Sequence, residues 1–148
     1  MMAKRIDIVR CKMVKESSVK YEKRVITSPF DGYIIVKDFL EDLDREQVMM
    51  LCLNSKNEPT NLSVISMGTV NSSLIHPREV FKIAILSNAS KIMLAHNHPS
   101  GNPSPSHEDE LMTKRIKDCG DMMGIQLLDH IIVGDNTYYS FKENNSIL

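Results

Sequence analysis

The chain has 148 residues, 42% of them hydrophobic and 25% charged, with 18 Lys and Arg against 19 Asp and Glu and a formal net charge of -1. That length suffices for one domain to bury a core without staples, and the near-neutral balance gives no global attraction to nucleic acid. No apolar run of about eighteen residues occurs and no export signal opens the chain, which argues against a membrane span and makes the cytoplasm the expected compartment.

Cys11, Cys52 and Cys119 are odd in number and far apart, with no C-x-x-C, so neither a disulfide framework nor a cysteine zinc knuckle is indicated. Ten Met and no Trp point to a core of flexible aliphatic side chains. Between Lys4 and Arg24 eight bases outnumber Asp7, Glu16 and Glu22. This basic arm, residues 1–25, could touch phosphate backbones, although a charge run is more often a solvated face.

The loose alternation of Ile6, Ile8, Arg10 and Lys12 predicts a first strand from Arg5 to Glu16. In "SPFDGYIIVKDFLEDL", Ser28 as N-cap and Pro29 at the first helical position open a helix, and Phe30, Tyr33, Ile34, Phe39 and Leu43 are expected to line the face that covers a sheet. "VMMLCLNS" from Val48 and "NLSVISMGTV" from Asn61 read as two strands joined by a turn. Pro77 starts a second helix with Val80, Phe81, Ala84 and Ile85 at helical spacing.

"KIMLAHNH" has the length and apolarity of a central strand, and it runs into a loop stiffened by Pro99, Gly101, Pro103 and Pro105. A third helix follows Ser106, with Met112, Ile116 and Cys119 on one stripe and Gly120 near its end. "IQLLDHIIVGDN" and "TYYSFKE" complete the chain as two strands. Strands and helices mix throughout, so the class is α/β or α+β with a sheet packed between helices.

The chemistry concentrates in "LAHNHPSGNPSPSHEDEL". His96 and His98, two residues apart at a strand end, fall on the same face, where both imidazoles can converge on one ion. An isolated H-x-H is more often a structural pair, and S-x-x-D before a helix is by itself a capping box. Together, however, His96, His98 and Asp109 in the first helical turn supply three ligands, the count of a catalytic zinc that keeps a fourth position for water.

These residues resemble the H-x-H…S-x-x-D signature of the JAMM metalloproteases, with seven residues between His98 and Ser106. The surrounding "GTVNSSLIHPREVFKIAILSNASKIMLAHNHPSG" looks specifically like the bacterial RadC-type JAB domain, over about residues 26 to 146. The resemblance implies a single-domain, cytidine-deaminase-like α/β/α sandwich (JAB/MPN) with a mixed sheet, spanning residues 26–148. It further implies Zn2+ held by His96, His98 and Asp109, with Ser106 steadying a tetrahedral intermediate. The resemblance also implies a general base, an upstream glutamate that in the family precedes an apolar strand, a place Glu46 occupies in "DREQVMMLCLNS".

Of the other acids, Glu79 reads as a helix-dipole partner, and Glu41, Asp42 and Asp44 as a solvated cluster. His76, His107 and His130 stay outside the expected ligand set. The implied activity is hydrolysis of a peptide or isopeptide bond in a peptide or protein substrate. A nucleoside deaminase lacks support because its C-x-x-C is missing, as are H-E-x-x-H of thermolysin-like enzymes and G-x-S-x-G of serine hydrolases. The remaining alternative is a non-catalytic metal-containing module associated with DNA repair. Longer relatives place a helix-hairpin-helix region ahead of the JAB domain, and this chain is expected to lack room for one.

Overall fold

Helix α1 (Pro29–Leu40) begins where the Asp31 carboxylate turns back to receive the backbone N–H groups of Thr27 and Ser28, at 2.8 and 3.0 Å, with Pro29 set for the first turn. In this computed structural model, which describes residues 1–67 and 75–148, α1 buries Tyr33, Val36 and Leu40. Phe30 and Ile34 turn outward, 52% and 48% exposed, while Phe39 and Leu43 are half-buried at the margin. The expected face is therefore rotated. A stripe through Tyr33, Val36 and Leu40 follows the period of about 3.6, and Phe30 lies off it, resting against Tyr138.

Five strands form one sheet in the order β2-β1-β3-β4-β5. Strands β1 (Gln47–Leu53) and β2 (Pro59–Met67) make an antiparallel hairpin, as the two apolar runs predict, and the Gly68–Val70 end of the second run lies outside the described residues. Helix α2 (Pro77–Leu86) leads to β3 (Lys91–Asn97), which pairs antiparallel with β1 and parallel with β4 (Gln126–Val133). The parallel pair needs a crossover, and α3 (His107–Met123) supplies it. Strand β5 (Tyr138–Ser140) closes the edge antiparallel to β4.

The sheet is covered on both sides, which is why β1 and β3 read as nearly unbroken apolar runs. On one face α1 packs Tyr33, Val36 and Leu40 onto Met49, Leu51, Met93 and Ala95. On the other, Phe81 and Ala84 of α2 and Met112 and Ile116 of α3 meet Met50, Cys52, Ile92 and Leu94. The result is the α/β/α sandwich with a mixed sheet. No described helix is long and apolar enough to cross a membrane.

Four expectations need correction. Residues 5–16 form no strand: Ile6 and Ile8 are fully exposed, since an alternating pattern makes a strand only where a neighbour offers backbone groups to pair with. Helix α3 runs beyond Gly120 to Met123 and ends at Gly124, whose φ of 73° is the left-handed cap, while Gly120 lies inside the helix because the Ile125 carbonyl passes where a Cβ would stand. Ile85 points outward, and the last strand stops at Ser140, where the chain turns.

Ile116 lies at the centre of the α2/α3 layer with no exposed surface. Ile116→Ala is expected to lower unfolding free energy by about 2–5 kcal/mol in urea titration. Ile6→Ala, on the exposed arm, should change it by less than about 0.5 kcal/mol.

Candidate metal centre

Strand alternation sorts β3 into two sets. Ile92, Leu94 and His96 face α2 and α3, while Met93, Ala95 and Asn97 face α1. In the pairing with β1, Val48 lies opposite His96, so Glu46, two residues before Val48, returns to the same face. Asp109, in the first turn of α3, comes down onto them. Glu46, His96, His98 and Asp109 each offer a ligand atom, all within 4.8 Å of one another, a group that could hold a metal ion.

The contacts are close. Nε2 of His96 is 3.1 Å from Nε2 of His98, 3.2 Å from Oδ1 of Asp109 and 3.6 Å from Oε1 of Glu46. Nε2 of His98 is 3.1 Å from Oδ2 of Asp109. Ligand atoms about 2.0–2.2 Å from a tetrahedral zinc stand about 3.3–3.6 Å apart, so these separations suit a small cation with little rearrangement. Oε1 of Glu46 is buried and has no hydrogen-bond partner, which is costly unless a ligand or substrate group meets it.

Each group is held from behind. His98 donates from Nδ1 to the Asn102 carbonyl at 2.8 Å, and its backbone N–H bonds to Val133, which fixes the strand end to β4. Ser106 and Asp109 cap α3 reciprocally: the Ser106 N–H donates to Oδ2 of Asp109 at 2.8 Å, and the Asp109 N–H donates to Oγ of Ser106 at 3.1 Å. The capping box and the ligand arrangement thus use the same two residues. Asn97, on the opposite face of β3, receives the Gln47 N–H at 2.8 Å and donates to the Arg45 carbonyl at 3.0 Å. One side chain therefore grips the backbone on both sides of Glu46.

The electrostatics follow from crowding. Burial pushes the Glu46 carboxyl upward, with His96 opposing and Asp109 adding to the rise. Burial would also raise Asp109, but the adjacent His96 imidazole and the hydrogen bond from His98 overcome it and hold this carboxyl far below the usual range. The same bond to Asp109 raises His98 against its partial burial.

Of the expected site residues, His96, His98, Asp109 and Glu46 converge, and Ser106 stands beside them at the helix start. The rival acids do not. Glu79 pairs with Lys82 and Asp44 with Arg45 at the surface, Glu41 caps α1, and Asp42 is exposed. His76 precedes α2 as its N-cap and His107 is exposed. His130 is different: fully buried, its Nε2 lies 2.7 Å from Nδ1 of His96 and its Nδ1 lies 2.6 Å from Oγ1 of Thr113. Sequence reasoning passed over it, and over Asn97 and Thr113. The available signal was parity, since a histidine within an apolar strand, beside the ligand strand, faces the same helix.

Residues 26–146 match the family described as RadC-like JAB domain. The chain belongs to that family. It is 49% identical over 123 residues to a UPF0758 protein of Desulforamulus reducens, an overlap covering 83% of this chain and 54% of the relative. A UPF0758 protein of Staphylococcus epidermidis is 48% identical over 127 residues, 86% of this chain and 56% of the relative. The chain spans about half the length of the curated relatives it matches. The five-strand sheet with three helices agrees with a JAB/MPN domain.

Two outcomes are expected for this RadC-like domain. Asn97→Ala, leaving the Gln47 N–H and Arg45 carbonyl without their partner, should cost about 1–3 kcal/mol in denaturant unfolding. In chelator-treated protein, the urea midpoint should fall as pH drops through the carboxylate range, because Asp109 is lowered in the native state and its stabilisation is lost on protonation. It should also fall as pH rises above about 6.5, through the raised value of His98. A maximum near pH 8 or above, on the scale of that roughly 6.5 reference, would contradict this assignment.

Proposed function

We propose that this RadC-like JAB domain is a zinc-dependent metallohydrolase of the JAMM type, cleaving a peptide or isopeptide bond. His96, His98 and Asp109 would hold the metal, and Glu46 and Ser106 would carry the proton and hydrogen-bonding work. The observation that carries this reading is the buried Oε1 of Glu46, without a hydrogen-bond partner and 3.6 Å from Nε2 of His96. A glutamate placed beside an imidazole and carboxylate cluster, with its pKa raised by burial, is a better proton acceptor than an exposed carboxylate. Two imidazoles and one carboxylate are the donor set zinc favours, although iron or manganese can use it.

A bound zinc supplies Lewis acidity and lowers the pKa of water from about 15.7 towards 7. Glu46 takes the proton of the attacking water and later delivers it to the leaving amine. Asp109 and His98 fix the cluster, and Ser106, whose Oγ already accepts the Asp109 N–H, has its own hydroxyl proton to offer to the developing oxyanion. His98 is partly exposed and Ser106 exposed, so substrate can reach this side from solvent. The names of these relatives specify no substrate, and peptide or protein partners are inferred from the chemistry alone.

Glu46→Gln is expected to keep zinc, measured by elemental analysis, and to lose turnover on peptide and isopeptide libraries. His96→Ala should lose both. Ser106→Ala should reduce kcat by about a hundredfold to a thousandfold. Turnover by Glu46→Gln at the wild-type rate would remove Glu46 from the scheme.

A second reading rests on the exposed basic arm, in which Lys12, Lys15 and Lys20 all stand in solvent. Contact with nucleic-acid phosphates would give an affinity that falls with salt and disappears when these three lysines are neutralised. Chelator-sensitive amide cleavage without such an affinity favours the hydrolase.

A further inference from the structure

Behind the candidate ligands a chain of three buried hydrogen bonds connects the backbone of Asp109 to the ring of His96. Thr113 Oγ1 lies 2.7 Å from the Asp109 carbonyl and 2.6 Å from Nδ1 of His130, and Nε2 of His130 lies 2.7 Å from Nδ1 of His96. We propose that His130 is a positioning residue that, through this chain, holds the proton of His96 on Nδ1 and so turns the Nε2 lone pair of His96 toward the metal. The proposal rests on the metal reading above and assigns a role to a residue outside the ligand set.

Counting donors sets the direction of every bond. A carbonyl oxygen only accepts, so the contact to Asp109 takes the single proton of the Thr113 hydroxyl. The ring of His130 must then donate from Nδ1 to Thr113 Oγ1. A neutral imidazole with its proton on Nδ1 has a lone pair on Nε2, and that lone pair receives Nδ1–H of His96. His96 is left with an unprotonated Nε2, the atom that faces His98 Nε2 and Asp109 Oδ1. Reversing the chain would leave the 2.7 Å contact between Thr113 Oγ1 and the Asp109 carbonyl without a proton and place a proton on Nε2 of His96, where a cation has to bind.

The surroundings keep the ring in this role. His130 is fully buried, stacked on Phe141 with ring centroids 5.0 Å apart and planes 10° from parallel. Its backbone is held in β4 opposite Leu94, and its carbonyl accepts the Phe141 N–H at 3.1 Å. Thr113 stands one helical turn after Asp109 on the buried face of α3, so the same turn supplies a candidate ligand and the start of the chain that orients another. Such partners behind a ligating histidine fix its tautomer and ring orientation and raise its basicity.

Zinc affinity, measured by competition with a chromogenic chelator, tests the role without reference to turnover. His130→Phe keeps a flat ring against Phe141 but removes the acceptor, and is expected to weaken zinc binding about tenfold to a hundredfold. His130→Gln, whose amide oxygen can stand near the position of Nε2, should recover most of the loss. Nitrogen-15 NMR of the zinc-loaded wild type should find the protons of His96 and His130 on Nδ1. Zinc binding by the Phe variant within about twofold of wild type, no recovery by Gln when both variants melt like wild type, or a proton on Nε2 of His96 would each overturn the proposal. Wild-type protein that takes up no zinc would overturn the metal reading itself, whereas strong binding by wild type and Phe variant alike overturns only the role of His130.

Discussion

The two-residue period of β3 is the constraint on which both the core and the candidate site depend. Because alternate residues point to opposite faces, one strand gives Leu94 and His96 to the α3 side and Ala95 and Asn97 to the α1 side. His96 of the first set joins the metal-competent cluster. Asn97 of the second reaches the loop before β1 and fastens the backbone around Glu46. A slip of one residue in the pairing of β1 with β3 would turn Glu46 away from His96 and exchange the β1 side chains between the two packed layers. Correct assembly of the core is therefore the same event as correct assembly of the site.

The cluster itself is expensive for the fold. Asp109 and His96 have almost no exposed surface, and Glu46 has a buried oxygen without a partner. Removing such groups from water costs several kcal/mol unless pairing compensates, and pairing with two imidazoles compensates Asp109 far better than it does Glu46. The asymmetry is visible in the opposite directions of the two carboxyl pKa shifts. One carboxylate is held low beside the imidazoles and the other is raised by burial, so environment alone sets two groups of one type apart.

Membership of the RadC-like JAB family and the sheet architecture agree with each other independently of any activity. Residues 26–146 carry the family match, and the secondary structure begins at Pro29. The basic residues ahead of it are exposed and outside the sheet, although Met13 comes within 3.6 Å of Ser87 at the end of α2.

The sequence by itself determined the strands around β3, the three helix starts and the H-x-H…S-x-x-D constellation, because each is encoded by residues near one another in the chain: prolines at first turns, a capping box, an alternation. Glu46 was legible only through family resemblance, since it is brought to His96 by strand pairing across fifty residues. Tertiary structure alone decided which face of α1 is buried, that the alternation at Ile6 and Ile8 finds no strand partner, and that α3 continues past Gly120 beneath the Ile125 carbonyl. It also decided that His130, Thr113 and Asn97 stand behind the candidate ligands. Those outcomes depend on which surfaces meet, and meeting is a property of the assembled layers rather than of any local run of residues.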